Sequence, residues 1–326
     1  MKIDKFVLSI IVVIAIAYVF PQWGAQGSKV PIDTIATVGI SLIFFFYGLK
    51  LGPDKLRAGL KNWKLHTLVQ IATFLIIPLL VLLFHPLLRS EEQEMIWLAF
   101  FFLAALPSTV SSSVVMVSLA KGNIPAAIFN ASISGIIGIV VTPLWMGLFI
   151  KGTQTDFDFS DIYLKLVFQI ILPVAIGLFL QRYWGAWAQK YTGRLNTFDK
   201  SIILLIIYKS FAESFDENIF GGVSILDLLI ICAGVLVLFL IAYFIIGSMA
   251  RKLNFNREDQ ITAQFCGTKK SLVHGTVFSK ILFGNMASIG MVLLPLMLYH
   301  ALQILILGIV ATKMADKLGV APGEVP

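Results

Sequence analysis

Leu106-Pro107-Ser108-Thr109-Val110-Ser111-Ser112-Ser113-Val114-Val115 sets five hydroxyl side chains into the six positions 108–113, directly behind a proline and inside a long apolar run. A second stretch, Gln264-Phe265-Cys266-Gly267-Thr268-Lys269-Lys270-Ser271-Leu272-Val273-His274-Gly275, has the same character and adds two adjacent lysines. Proline removes a backbone donor and glycine weakens a helix, so both stretches read as interruptions of apolar helices. The surroundings decide what kind of helices these are. The chain has 326 residues, of which 58% are hydrophobic and only 13% charged, with a mean hydropathy of +0.90. Soluble domains carry roughly 25% charge. That much apolar surface cannot be buried in a water-facing core, so lipid must cover a large share of it.

Outward from the two interruptions, ten apolar segments come near the roughly 17 to 25 residues that a helix needs to cross a bilayer. They run over about 6–21, 32–49, 65–84, 95–120, 125–150, 162–181, 199–212, 225–249, 260–283 and 286–312. The first follows Lys2 and Lys5, and Gly24-Ala25-Gln26-Gly27 offers small residues for cleavage, as in a secretory signal. Nine further spans need a topogenic start, however, which favours a retained first helix. Counted on alternate sides of ten spans, lysine and arginine divide 17 to six, with Lys269 and Lys270 on neither side. Cytoplasmic loops carry the basic excess, so both termini are expected in the cytoplasm, in a plasma or bacterial inner membrane. The net charge of +7 resides in these short clusters and forms no basic face interleaved with aromatics, which points to membrane orientation and away from nucleic acid.

Residues 1–150 and 151–326 each hold five spans, and an odd number inverts one half relative to the other. The expected fold is an all-α polytopic membrane protein of ten transmembrane helices in two inverted five-helix repeats. The interruptions fall in spans 4 and 9, which correspond under that repeat and would face a shared central cavity. Inner linkers at Gly52–Leu60 and Tyr183–Trp187 have the basic and apolar mixture of interfacial helices. Trp63, Trp184 and Trp187 read as aromatic-belt anchors.

Polar groups deep in a membrane are costly and mark function. A single serine can bond back to its own helix or glue two helices together. Five hydroxyls mirrored by a second polar stretch call for more than that. Each ammonium at mid-membrane costs roughly 2.5 to 3.5 kcal/mol, and neighbouring positions on a helix point about 100° apart. Lys269 is therefore read as facing the cavity, and Lys270 as snorkelling, lining it less directly or merely reaching a backbone carbonyl. Every Asp and Glu lies near a span end or in a loop, so the balancing anion could come from substrate, or a neutral lysine could carry a coupling proton. His66, His85, His274 and His300 are scattered without metal-ligand spacing, His274 being a satisfied polar residue or a cavity liner. Cys232 and Cys266 read as buried thiols. No nucleophile or phosphate-loop motif occurs in a suitable context, so an enzyme is not expected.

At Phe45–Leu51, Leu65–Gln70, Leu106–Val115, Gly122-Asn123, Val141–Leu144 and Cys266–Ser271 the sequence resembles the bile acid:sodium symporter family, in its SBF-like branch of small ten-span members. The resemblance covers nearly the whole chain. It implies a panel domain of spans 1, 2, 6 and 7 beside a core domain of spans 3–5 and 8–10, with broken spans 4 and 9 crossing at mid-membrane. In sodium-dependent members the ion is held there by hydroxyl and amide groups of spans 4 and 5, by a Glu and a Gln of span 9 and by a Gln of span 3. Carried over with Gly267 on the span 9 glycine, the resemblance puts Ser113 at the span 4 serine, Val114 at an Asn, Phe265 at the Glu and Lys269 at the Gln, unless a one-residue shift makes Gln264 the neutral stand-in for the Glu. Any sodium would have to rest on Ser113, Asn130 and Gln264, and an ammonium at a ligand position repels it.

The expectation drawn from residues and resemblance together is a secondary active transporter working by alternating access. Its substrate would be a small organic solute, anionic because basic residues and half-helix N-termini line the inferred site. Lys269 would take the place of bound sodium, leaving a proton or no coupling ion. The ion- and substrate-binding set is Ser111, Ser112, Ser113, Asn130, Ser132, Gln264, Thr268, Lys269, Lys270 and Ser271. Other classes stay open on these residues: a regulatory membrane protein that binds a ligand or partner without flux, or a cation/proton antiporter, which the lack of a mid-membrane carboxylate disfavours.

Overall fold

The computed structural model describes residues 5–24, 30–50, 62–87, 90–109, 111–150, 164, 167–216, 218, 224–283 and 289–316. No strand occurs among them. The helices are α1 (Lys5–Val19), α2 (Ile32–Lys50), α3 (Trp63–Ile71), a π turn (Ala72–Ile76), α4 (Ile77–Leu82), α5 (Glu91–Ala105), α6 (Ser111–Leu119) and α7 (Ile124–Gly147). A second π turn (Val167–Ile171) runs into α8 (Leu172–Lys190), followed by α9 (Thr192–Asp216), α10 (Ile225–Lys252), α11 (Arg257–Thr268), α12 (Leu272–Leu282) and α13 (Ile289–Asp316).

Six segments among the described residues are long and apolar enough to cross a membrane: Ile32–Lys50, Trp63–Leu87, Ile124–Gly147, Val167–Lys190, Ile225–Lys252 and Ile289–Met314. On α10 the side chains of Leu226, Leu229, Ile230, Val237 and Phe244 are exposed, an apolar surface suited to acyl chains and not to water. These helices make the chain an integral membrane protein. The remaining expected spans fall short for visible reasons. Helix α1 has 15 described residues, α9 carries Asp199, Lys200, Lys209 and Glu213 along its 25 residues, and α5–α6 and α11–α12 are each split by an interruption.

Both π turns lie one turn ahead of a proline, Pro78 and Pro173. The ring clashes with the carbonyl four residues back, and widening the turn relieves it. The stretch Tyr183–Trp187 is not a separate interfacial element. It lies within α8, and Tyr183, Trp184 and Trp187 are exposed. The linker at 52–60 lies outside the described residues.

By its internal contacts the chain divides into two units. Unit 1 comprises residues 1–52, 143–228 and 273–294. Here α2 packs along α8, and Gly48 faces Gly177 so closely that a Cβ on either would strike the backbone of the other helix. At the start of α2, Asp33 pairs with Lys209 of α9 at 2.7 Å and with Lys280 of α12 at 3.1 Å. His274 of α12 lies among Phe44, Tyr47 and Phe278. These contacts hold α12 in unit 1, whereas the family resemblance groups the whole of span 9 in one core domain.

Unit 2 comprises residues 53–142, 229–272 and 295–326, hence α3 to α6, most of α7, α10, α11 and the larger part of α13. At one end of it the carboxylate of Asp259 in α11 accepts hydrogen bonds from Asn62 ahead of α3 at 2.7 Å and from Asn123 ahead of α7 at 2.8 Å. The residue is buried, although it sits near a span end.

Candidate ion and substrate site

Pro107 ends α5. The residue before a proline is pushed out of the helical region, and Leu106 is extended (φ −72°, ψ 150°). The last carbonyls of α5 thereby lose their helical partners and must find others. Ala105 O accepts from Thr142 Oγ1 at 2.7 Å, and Pro107 O accepts the backbone N–H of Ser271 at 2.8 Å. The backbone of α7 comes close to the break because Gly138 lacks a Cβ, which would lie 2.7 Å from the Pro107 ring.

The second interruption has no proline and is held open from outside. Lys269 is extended (φ −77°, ψ 143°). Cys266 O accepts from Ser108 Oγ at 2.6 Å, and Thr268 O accepts from Tyr299 Oη at 2.6 Å. The N–H of Lys270 donates to Gln303 Oε1 at 2.9 Å, and its carbonyl accepts from Gln303 Nε2 at 3.0 Å. The two interruptions thus meet, through Ser108 with Cys266 and Pro107 with Ser271, and each satisfies backbone groups of the other.

Both lysine side chains are fully buried at this meeting point. Lys269 Nζ donates to Ser112 O at 2.7 Å. Lys270 Nζ donates to Thr73 O at 2.8 Å, Ala104 O at 2.6 Å and Leu106 O at 2.9 Å. Of the readings open for Lys270, the carbonyl one holds and snorkelling does not: three carbonyls surround its ammonium. Ser112 and Ser113 bond Thr109 through their hydroxyls, at 2.7 and 3.0 Å. Ser111 opens α6, its side chain outside the described set. Thr268 Oγ1 caps Gln264 O at 2.6 Å, and Ser271 is buried beside Pro107.

Other residues singled out from the sequence have partners of their own. Asn130 is buried on α7, its side chain bonded to Ala126 O at 3.0 Å and to Gln70 Nε2 at 3.2 Å, while Ser132 lies part-buried on the same helix. Gln264 turns its amide to Tyr243 O of α10 at 3.3 Å and packs against Gly247. Ser113, Asn130 and Gln264 accordingly have three distinct sets of partners. No group of three or more His, Cys, Asp or Glu that could hold a metal occurs among the described residues. The sequence reading passed over Thr73, Tyr299, Gln303 and Asp259. Gln303 and His300 stand three residues apart in an apolar span, so the rule that flagged the serines applied to them as well.

The sequence profile of the SBF-like CPA transporter family matches residues 4–316. An uncharacterized protein of Pseudomonas aeruginosa is 35% identical over 326 residues, covering 99% of this chain and 97% of its own. YfeH of Escherichia coli K12, named as a candidate symporter, is 34% identical over 312 residues, 95% of this chain and 92% of its own. Sodium/bile acid cotransporter 7 of Rattus norvegicus is 31% identical over 307 residues, 93% of this chain and 90% of its own. With lipid-facing helices, a lysine-bearing polar centre and this match along nearly its full length, the chain belongs to the SBF-like CPA transporter family and is a membrane transporter, not an enzyme.

Proposed function

We propose that the protein carries a small organic anion across a plasma or bacterial inner membrane by alternating access, with Lys269 in the place that a sodium ion occupies in sodium-coupled relatives. The architecture that goes with this reading is ten spans in two inverted repeats, 1–150 and 151–326, with spans 4 and 9 broken and both termini in the cytoplasm. The relatives named as symporters and cotransporters support the transport class. The observation that carries the ion reading is the buried ammonium of Lys269 on the Ser112 carbonyl, at the meeting of the two interruptions. A fixed positive charge there repels a metal cation and attracts an anion. An ammonium can also give up a proton and take it back, which offers a coupling step without sodium.

The test is uptake into sealed proteoliposomes from a panel of organic anions, with a sodium gradient or a proton gradient imposed in turn. The expected result is uptake indifferent to sodium, responsive to pH, and with that pH response lost in Lys269→Gln. Sodium-driven uptake, or a Lys269→Gln variant that transports normally at every pH, rejects the assignment.

A further inference from the structure

Three backbone carbonyls of unit 2, those of Thr73, Ala104 and Leu106, converge on the Nζ of Lys270 at 2.8, 2.6 and 2.9 Å. Each is a carbonyl that, among the described residues, its own helix leaves bare. In the π turn the N–H of Ile77 closes on Ala72 O. The next bond of that series would run from residue 78 to Thr73 O, but residue 78 is a proline and has no hydrogen to give. Ala104 O would receive the N–H of Ser108, which turns instead to Ser134 Oγ at 2.9 Å because Pro107 has ended the helix. Leu106 is already extended. In a membrane no water makes up such losses.

A primary ammonium has three donors and no acceptor. Three carbonyls answer it one for one, and two of them lie at the C-terminal end of α5, where the helix dipole favours a cation. We propose that the backbone of residues 73, 104 and 106 forms a cation site of the primary-ammonium class, and that Lys270 is its tethered occupant. The chain supplies as a side chain the cation that this cage would otherwise draw from solution. The two adjacent lysines then have different duties. Lys270 has every donor engaged and its peptide clamped by Gln303, so it stays in place. Lys269 donates, among the described residues, to the single carbonyl of Ser112, and is the one free to exchange partners.

The inference rests on backbone geometry and not on the transport reading, and its readout is stability rather than flux, so either can fail alone. Lys270→Ala is purified in detergent and unfolded thermally at fixed pH and ionic strength in choline, sodium, ammonium or ethylammonium chloride. Ethylammonium restores the nitrogen and two of the three carbons that the substitution removes beyond Cβ. In choline the variant should melt on the order of 5 °C below the parent. Ethylammonium should recover a good part of that loss and ammonium a smaller part, while the parent does not respond. Equal rescue by sodium overturns the ammonium class, and no rescue by any cation overturns the site. Should Lys270→Ala fail to accumulate, Pro78→Ala decides with Lys270 in place. Alanine provides an N–H that competes for Thr73 O, so the protein should melt lower, although replacing a proline inside a helix ordinarily stabilises it. An unchanged or higher melting temperature overturns the proposal.

Discussion

Gln303 grips the Lys270 peptide from both sides, its Oε1 accepting the N–H at 2.9 Å and its Nε2 donating to the carbonyl at 3.0 Å. One side-chain amide on α13 does for this peptide what a neighbouring strand does in a sheet. His300 Nδ1, one turn earlier, lies 3.1 Å from the same Nε2 and helps to orient the amide. Gln303→Leu keeps the volume and strands one donor and one acceptor, each costing about 1–3 kcal/mol when buried. The variant should lose about 3 kcal/mol, and Gln303→Glu, which keeps one acceptor but sets a second against the Lys270 carbonyl, should lose at least as much. Unfolding in detergent measures both; a leucine variant as stable as the parent would mean that the peptide finds other partners.

Two ammonium groups share the Asp33 carboxylate, and its side chain is 64% exposed. Such pairs are screened, so Asp33→Asn should cost less than about 1 kcal/mol, and less again at high salt. Lys209 is placed differently. It also pairs with Glu213 at 2.6 Å, and the side chains of both are only 14% and 12% exposed. Lys209→Met takes from that carboxylate the ammonium it holds at 2.6 Å and should cost about 2 kcal/mol, part of which a second change, Glu213→Gln, gives back. Melting curves at two salt concentrations compare them. Equal losses for Asp33→Asn and Lys209→Met would contradict the difference in burial.

Asp259 ties the starts of α3, α7 and α11 together by accepting amide hydrogens from Asn62 and Asn123, while its own N–H donates to Asn256 Oδ1 at 2.8 Å. Asp259→Asn turns one acceptor into a donor that faces a donor, and should cost about 2 kcal/mol. Adding Asn62→Asp reverses the polarity on the other side of one bond and should recover part of the loss. Failure of the pair to do better than the single change would place the effect elsewhere.

The two interruptions were legible because each local signal is strong: a proline behind an apolar run in one, two lysines amid apolar neighbours in the other. The partners that complete them were not. Thr73 contributes a carbonyl, which every residue has, and only Pro78 five positions on makes that carbonyl available. Tyr299 and Gln303 act on backbone atoms some thirty residues away in sequence, at Thr268 and Lys270, which no periodicity reveals. Lys269 was singled out over Lys270 from helical geometry, but the segment is extended at Lys269, so the 100° rule does not apply there. Asp259 read as a span-end carboxylate because position along a span does not report the asparagines brought in from two other helices. The serine cluster, in turn, holds its own turn together through Thr109 as well as offering the Ser112 carbonyl.

The hydrogen that Pro78 lacks has a consequence for how this chain can vary. A lysine far along the sequence occupies the carbonyl that the proline leaves bare, so the fitness of a residue at one position depends on what stands at the other. Losing the lysine while keeping the proline exposes a carbonyl; losing the proline while keeping the lysine sets two donors competing for one oxygen. Substitution costs at the two positions therefore do not add, and the path of least resistance through sequence space changes both together or neither.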